Sequence, residues 1–298
     1  MKMSDYPKAC DHPVVSCEVK DKVATLTLCA PDNQNMINKQ FVHEFHDAIL
    51  DLRYDDQVRV IVLVAEGETF FGPGDAANLI FSRLMQNELL ARQFMQENLA
   101  AQREMKNCGK PIIACMDAIS IGGGCGWTLA ADIVFATQKA GVAPGAHVIS
   151  GMIPDCGGVY ALARLAGPQK AMWWALRPDP VLAQEAYDNG LITKLFDDKE
   201  SMMAEAYKLA EHLASVPPYG VQGVKTIGNH YTDWDFETYA MYEAENVANA
   251  VHTKDFQASA AIQGAAAEEL AAKGEAFSLD YLMQRVMEKT TSNDYVGY

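Results

Sequence analysis

Apolar and polar positions alternate from Val14 to Val19 and again from Val23 to Cys29, with Asp21-Lys22 between them. Period-two alternation of β-branched residues around a polar pair predicts a β-hairpin. After a loop at Ala30-Pro-Asp-Asn-Gln-Asn35, the period changes. Phe41, Phe45, Ile49 and Leu52 fall on one helical stripe, and Asn38 is placed to cap a helix running to about Arg53. Val58–Ala65 is continuously apolar, the pattern of a strand buried on both faces. A helical pattern runs from about Asn87 to Lys106, followed by the apolar run Pro111–Met116.

Short helices are expected at Val159–Leu165, Gln169–Leu176 and Ala183–Asn189, with a short strand in Leu191–Phe196. From Glu200 every segment reads as helix: Glu200–Ser215, Gly220–Asn229, Phe236–Val251, Asp255–Ala272 and Ser278–Thr290. Strands alternating with helices, then helices alone, predict an α/β core over residues 1–197 and a helical region over 198–298.

Glycines mark the places where strands give way to helices. They occur in Gly72-Pro-Gly74, in Ser120-Ile-Gly-Gly-Gly-Cys-Gly-Trp127 and in Gly157-Gly158. Glycine there lets a ligand approach the backbone, and a following helix start offers free N–H groups. Such donors can hold a developing oxyanion. The triple glycine alone is equally a tight turn. It lacks the Gly-Lys-Ser/Thr of a phosphate loop and the spacing of a dinucleotide fingerprint.

Composition narrows the classes. Of 298 residues, 49% are hydrophobic, enough for a large core, and the net charge is −15. An acidic surface disfavours nucleic acid and anionic membranes as partners. The N-terminus has no apolar segment of a secretory signal. No apolar run approaches the length of about 18 residues needed to span a bilayer. Seven cysteines without Cys-x-x-Cys spacing suit free thiols in a reduced, cytoplasmic setting. His43 and His46 are three apart, not the four of a zinc-binding helix pair, and read as a solvated face. No metal or cofactor is expected. Trp127, Trp173 and Trp174 read as core, with walls of an apolar pocket as the alternative. Cys125 and Cys156 flank the glycine loops without a base partner and read as space-filling.

Three segments together resemble the crotonase (enoyl-CoA hydratase/isomerase) superfamily: Val58–Asp75, Lys110–Asp132 and Ala146–Gly167. The resemblance implies a spiral of ββα turns with a helical C-terminal region, assembled as a homotrimer or hexamer. It also implies a small-molecule substrate whose enolate is held by two backbone N–H groups, at Gly72 and Gly123. The two glutamates of the hydratases fall on Gly126 and His147, and lysines that bind CoA fall on Glu68 and Ala77. Hydration of a CoA ester therefore lacks its usual groups.

Three local stretches are similar to the CoA-independent branch that hydrolyses β-diketones, of the 6-oxocamphor hydrolase kind. They are Phe41–Asp56, Phe70–Asp75 and Gly145–Gly151. That similarity puts a catalytic histidine on His147 and an aspartate on or beside Asp155, with Cys156 in the strict register. It puts a C-terminal glutamate on Glu243 or Glu245. Asp155 is also placed to cap the helix after Gly158. The sequence thus points to retro-Claisen cleavage of a β-diketone. CoA-thioester chemistry through Asp155 or His147, and a catalytically silent subunit, remain the alternatives.

Overall fold

The computed structural model describes residues 10–75 and 87–289. Two compact units divide the chain, at Met1–Ala210 and Glu211–Tyr298. The division falls inside a helix, beyond the boundary at 197 read from the sequence.

The first unit opens with the expected hairpin. β1 (Val15–Lys20) and β2 (Val23–Leu28) pair antiparallel, and Asp21 and Lys22 both take positive φ, at 49° and 66°. Two left-handed turn residues match the twist of paired strands. β3 (Val60–Ala65), β4 (Ile112–Met116), β6 (Ile133–Thr137) and β9 (Lys194–Phe196) extend the sheet in parallel, in the order β1-β2-β3-β4-β6-β9. β3 and β4 sit centrally and are almost wholly buried, as their unbroken apolar runs require.

Helix α1 (Lys39–Tyr54) begins where Asn38 accepts a hydrogen bond from the Phe41 N–H, at 3.0 Å. Its stripe of Phe41, Phe45, Ile49 and Leu52 is buried. At its C-terminus the buried ammonium of Lys110 donates to the carbonyls of Leu52 and Asp55. Helix α2 (Glu88–Asn107), capped by Asn87, packs on α1 and is tied to it by Lys39–Glu97 and Arg53–Glu104 ion pairs.

A second sheet of three short strands was not expected. β5 (Ile119–Ile121), β7 (Gly141–Ala143) and β8 (Val181–Leu182) form it, with β7 in the middle. Between them run α3 (Gly123–Thr128), α4 (Ala146–Ile149), α5 (Gly158–Ala166) and α6 (Pro168–Leu176), and α7 (Ala183–Asp188) follows β8. Trp127 of α3 is fully buried among Phe41, Phe45 and Phe71, with its ring 4.9 Å from that of Phe45. It is core. Trp174 is also buried and donates to Glu185, while Trp173 is exposed beside Arg177.

Helix α8 (Lys199–Ser215) crosses the division between the units. The second unit contains α9 (Pro218–His230), α10 (Phe236–Ala250), α11 (Lys254–Lys273) and α12 (Leu279–Lys289). No helix among the described residues is long and apolar enough to cross a membrane.

Candidate active site

The loop that follows β3 is built on one buried side chain, that of Asn35. Asn35 donates from Nδ2 to the carbonyls of Glu66 and Thr69 and accepts from the Ala30 N–H. Its own carbonyl accepts from the Gly72 N–H at 3.0 Å. The donor expected at Gly72 is therefore engaged inside the protein. Two residues on, the chain forms a parallel bridge with Ile37. The Ile37 N–H donates to Pro73 and the Asp75 N–H donates to Ile37. Successive peptide units in extended chain face opposite ways, so the Gly74 N–H turns away from Ile37. It has no hydrogen-bond partner among the described residues. Gly74, not Gly72, borders the cavity.

Gly123 borders the same cavity. As the first residue of α3, it has no acceptor within the helix for its N–H. No other partner exists among the described residues. Each neighbouring glycine is required by what approaches it. Gly122 has φ of 58°, and a Cβ there would lie 2.9 Å from Cε1 of His147. A Cβ on Gly123 would lie 2.7 Å from Oδ1 of Asp155. The triple glycine is thus the floor on which His147 and Asp155 rest.

His147 lies on α4, a four-residue helix. Its Nε2 lies 3.1 Å from Oδ1 of Asp155, and the two side chains are 12% and 21% exposed. The two atoms face each other without forming a hydrogen bond. Nδ1 of His147 and Oδ1 of Asp155 are both buried without a hydrogen bond. Asp155 does not cap the following helix. Gly157 occupies the N-cap of α5 without a side-chain bond, and Asp155 contributes only its carbonyl, to the Gly158 N–H at 2.9 Å. The carboxylate is left facing the cavity.

This cavity has a volume of about 130 Å³ as bounded by the described residues. Ile37, Phe94, Met95 and Met152 supply its apolar wall. Asn98 of α2 also borders it, an amide that the sequence reading passed over as one more polar position on a helix. The position read as the hydratase glutamate, Gly126, has no room for a side chain, since a Cβ would stand 1.8 Å from the Cys156 carbonyl oxygen. Burial pushes the Cys125 thiol up to about 12 and Cys156 well above its usual range, with Asp155 adding to the latter. Neither thiol supplies a thiolate nucleophile near neutrality. No cluster of three or more metal-ligating side chains occurs among the described residues.

Glu68 is exposed, and Ala77 lies outside the described residues. Glu243 and Glu245 are exposed on α10 of the second unit, where Glu243 pairs with Tyr239 and raises its phenol pKa.

A family model described as Enoyl-CoA hydratase/isomerase matches residues 18–271. The 1,2-epoxyphenylacetyl-CoA isomerase of Escherichia coli (strain K12) is 29% identical over 207 residues, which is 70% of this chain and 78% of that protein. The 4-chlorobenzoyl coenzyme A dehalogenase-2 of an Arthrobacter species is 28% identical over 242 residues, covering 81% and 86%. Among solved structures, an enoyl-CoA hydratase/isomerase from Cupriavidus metallidurans CH34 superposes with a TM-score of 0.75 at 25% identity, covering 90% of this chain and 96% of that one.

Proposed function

Since the chain belongs to the enoyl-CoA hydratase/isomerase family, we propose that its site performs the family's enolate chemistry as a hydrolysis, cleaving a β-diketone between its two carbonyls. The observation that carries this reading is the pairing of unsatisfied groups around one cavity. His147 Nδ1 and Asp155 Oδ1 have no hydrogen bond, and the Gly74 and Gly123 N–H groups have no acceptor among the described residues. A base and two donors around one small space are what a hydrolytic enolate reaction needs.

The Asp155 carboxylate beside Nε2 orients the His147 ring. Water gives its proton to the imidazole as its oxygen attacks one carbonyl carbon. The bond from that carbon to the central carbon then breaks. Its electron pair becomes an enolate, whose oxygen lies between the Gly74 and Gly123 N–H groups. The histidine returns the proton to the central carbon. One water is consumed, and the products are a carboxylic acid and a ketone, joined as one keto acid if the substrate is cyclic.

A second reading is favoured by the relatives, whose names place them on CoA compounds: an isomerase or lyase of a CoA thioester, with Asp155 or His147 as the acid–base group. Against ordinary hydration stands Gly126, where the Cys156 carbonyl fills the space of a glutamate. Incubation with a panel of cyclic 1,3-diketones beside crotonyl-CoA separates the two. Formation of keto acids supports the diketone reading, and turnover confined to the thioester replaces it with the second.

A further inference from the structure

Helix α2 carries two buried amides one turn apart, Asn98 and Gln102, and both reach the same residue. Gln102 Nε2 donates to the Cys156 carbonyl at 2.7 Å, and Cys156 Sγ donates to Asn98 Oδ1 at 3.7 Å. Cys156 has φ of 49°, and Gly157 follows at 70°. A non-glycine residue in the left-handed region persists only where its surroundings hold it there. The residue that needs this support directly follows Asp155. On its other side the Cys156 carbonyl lies against Gly126. The carbonyl thus occupies a single slot, with an amide donor on one side and a bare backbone on the other.

A helix–loop contact alone would give such bonds a purely structural role. Here, however, the Asp155 Oδ1 that meets His147 has no hydrogen bond to fix it. Its place is set through the turn that carries it. We propose that Gln102 is a positioning residue: by holding the Cys156 carbonyl it fixes the Asp155–Gly158 turn and sets the Asp155 carboxylate against the His147 ring. Asn98 supports the same turn through the thiol. A side chain at position 126 would push the carbonyl off Gln102, so a glutamate there and the Gln102-held turn exclude one another. This inference rests on His147 and Asp155 being the working pair of the proposed function.

Gln102→Met keeps the length of the side chain and removes the amide. Its kcat is expected to fall by about 10- to 100-fold, the scale of a small misplacement of a reacting group, with KM little changed. In an Asp155→Asn background the same substitution should cost less than about twofold, because interacting residues lose their effects non-additively. A readout without substrate is the ¹⁵N resonances of the His147 ring. Gln102→Met should displace them in the same direction as Asp155→Asn and add nothing in the double variant. Additive losses, or ring resonances that stay at their wild-type positions, overturn the proposal. Gln102→Glu, which keeps the shape and, when ionised, lacks the donor, serves as second variant. Loss of the fold in both assigns Gln102 to the fold and likewise overturns it. Wild-type inactivity on 1,3-diketones removes the diketone reading yet leaves the ring-resonance test standing.

Discussion

His147 Nδ1 and Asp155 Oδ1 are buried without a hydrogen-bond partner in the protein, at the border of the cavity that substrate would enter. His147→Ala is accordingly expected to lower kcat by about 10² to 10⁴-fold while circular dichroism shows the fold intact. Retention of more than roughly half of the wild-type rate would make the histidine structural. Gly123→Val puts a Cβ 2.7 Å from Asp155 Oδ1 and 3.1 Å from Cys156 Sγ. Activity should be lost on every substrate, and a variant that still turns over would remove Gly123 from the site.

At this scale the sequence was partly legible. His147 and Asp155 were reached through the similarity of Gly145–Gly151 and the turn after it to the β-diketone hydrolase branch, and the structure brings the two side chains together. The resemblance put the first donor on Gly72, because spacing does not reveal that Asn35 claims the Gly72 N–H. Asn98 and Gln102 were invisible for a related reason: one turn of amides on a helix reads as a solvated face until the turn at Cys156 is seen packed against it.

Among the elements, α1 was the most legible, since a four-residue apolar stripe and an Asn cap leave little choice of structure. Asn38→Ala should reduce stability by about 1 kcal/mol, the usual contribution of a cap, measured by denaturant titration. No change would mean that the cap is redundant with the packing of Phe41. The strands β5, β7 and β8 escaped notice because two or three residues carry no period.

Two of the elements hold thiols that give stability a pH dependence. Burial in β4 and α3 raises Cys115 and Cys125 from 9.0 to about 12. The unfolded chain therefore ionises them first. Their contribution is complete below about pH 9 and declines as pH rises through the window to about 12. Replacing both by alanine should flatten the alkaline fall of the denaturation midpoint. An unchanged slope would show that other groups govern it.

For the molecule as a whole, the alternation of strand and helix announced an α/β core with helices after it, and the parallel sheet and crotonase-like neighbours agree. What the whole chain does turns on which electrophile enters the cavity. The most direct measurement follows a cyclic 1,3-diketone in ¹⁸O-labelled water by mass spectrometry, with crotonyl-CoA beside it. The account predicts a keto acid carrying one ¹⁸O in its new carboxylate, absent with His147→Ala, and no appreciable hydration of crotonyl-CoA. Hydration of crotonyl-CoA within about tenfold of a typical enzyme rate of ~10 per second, with the diketones untouched, would contradict it.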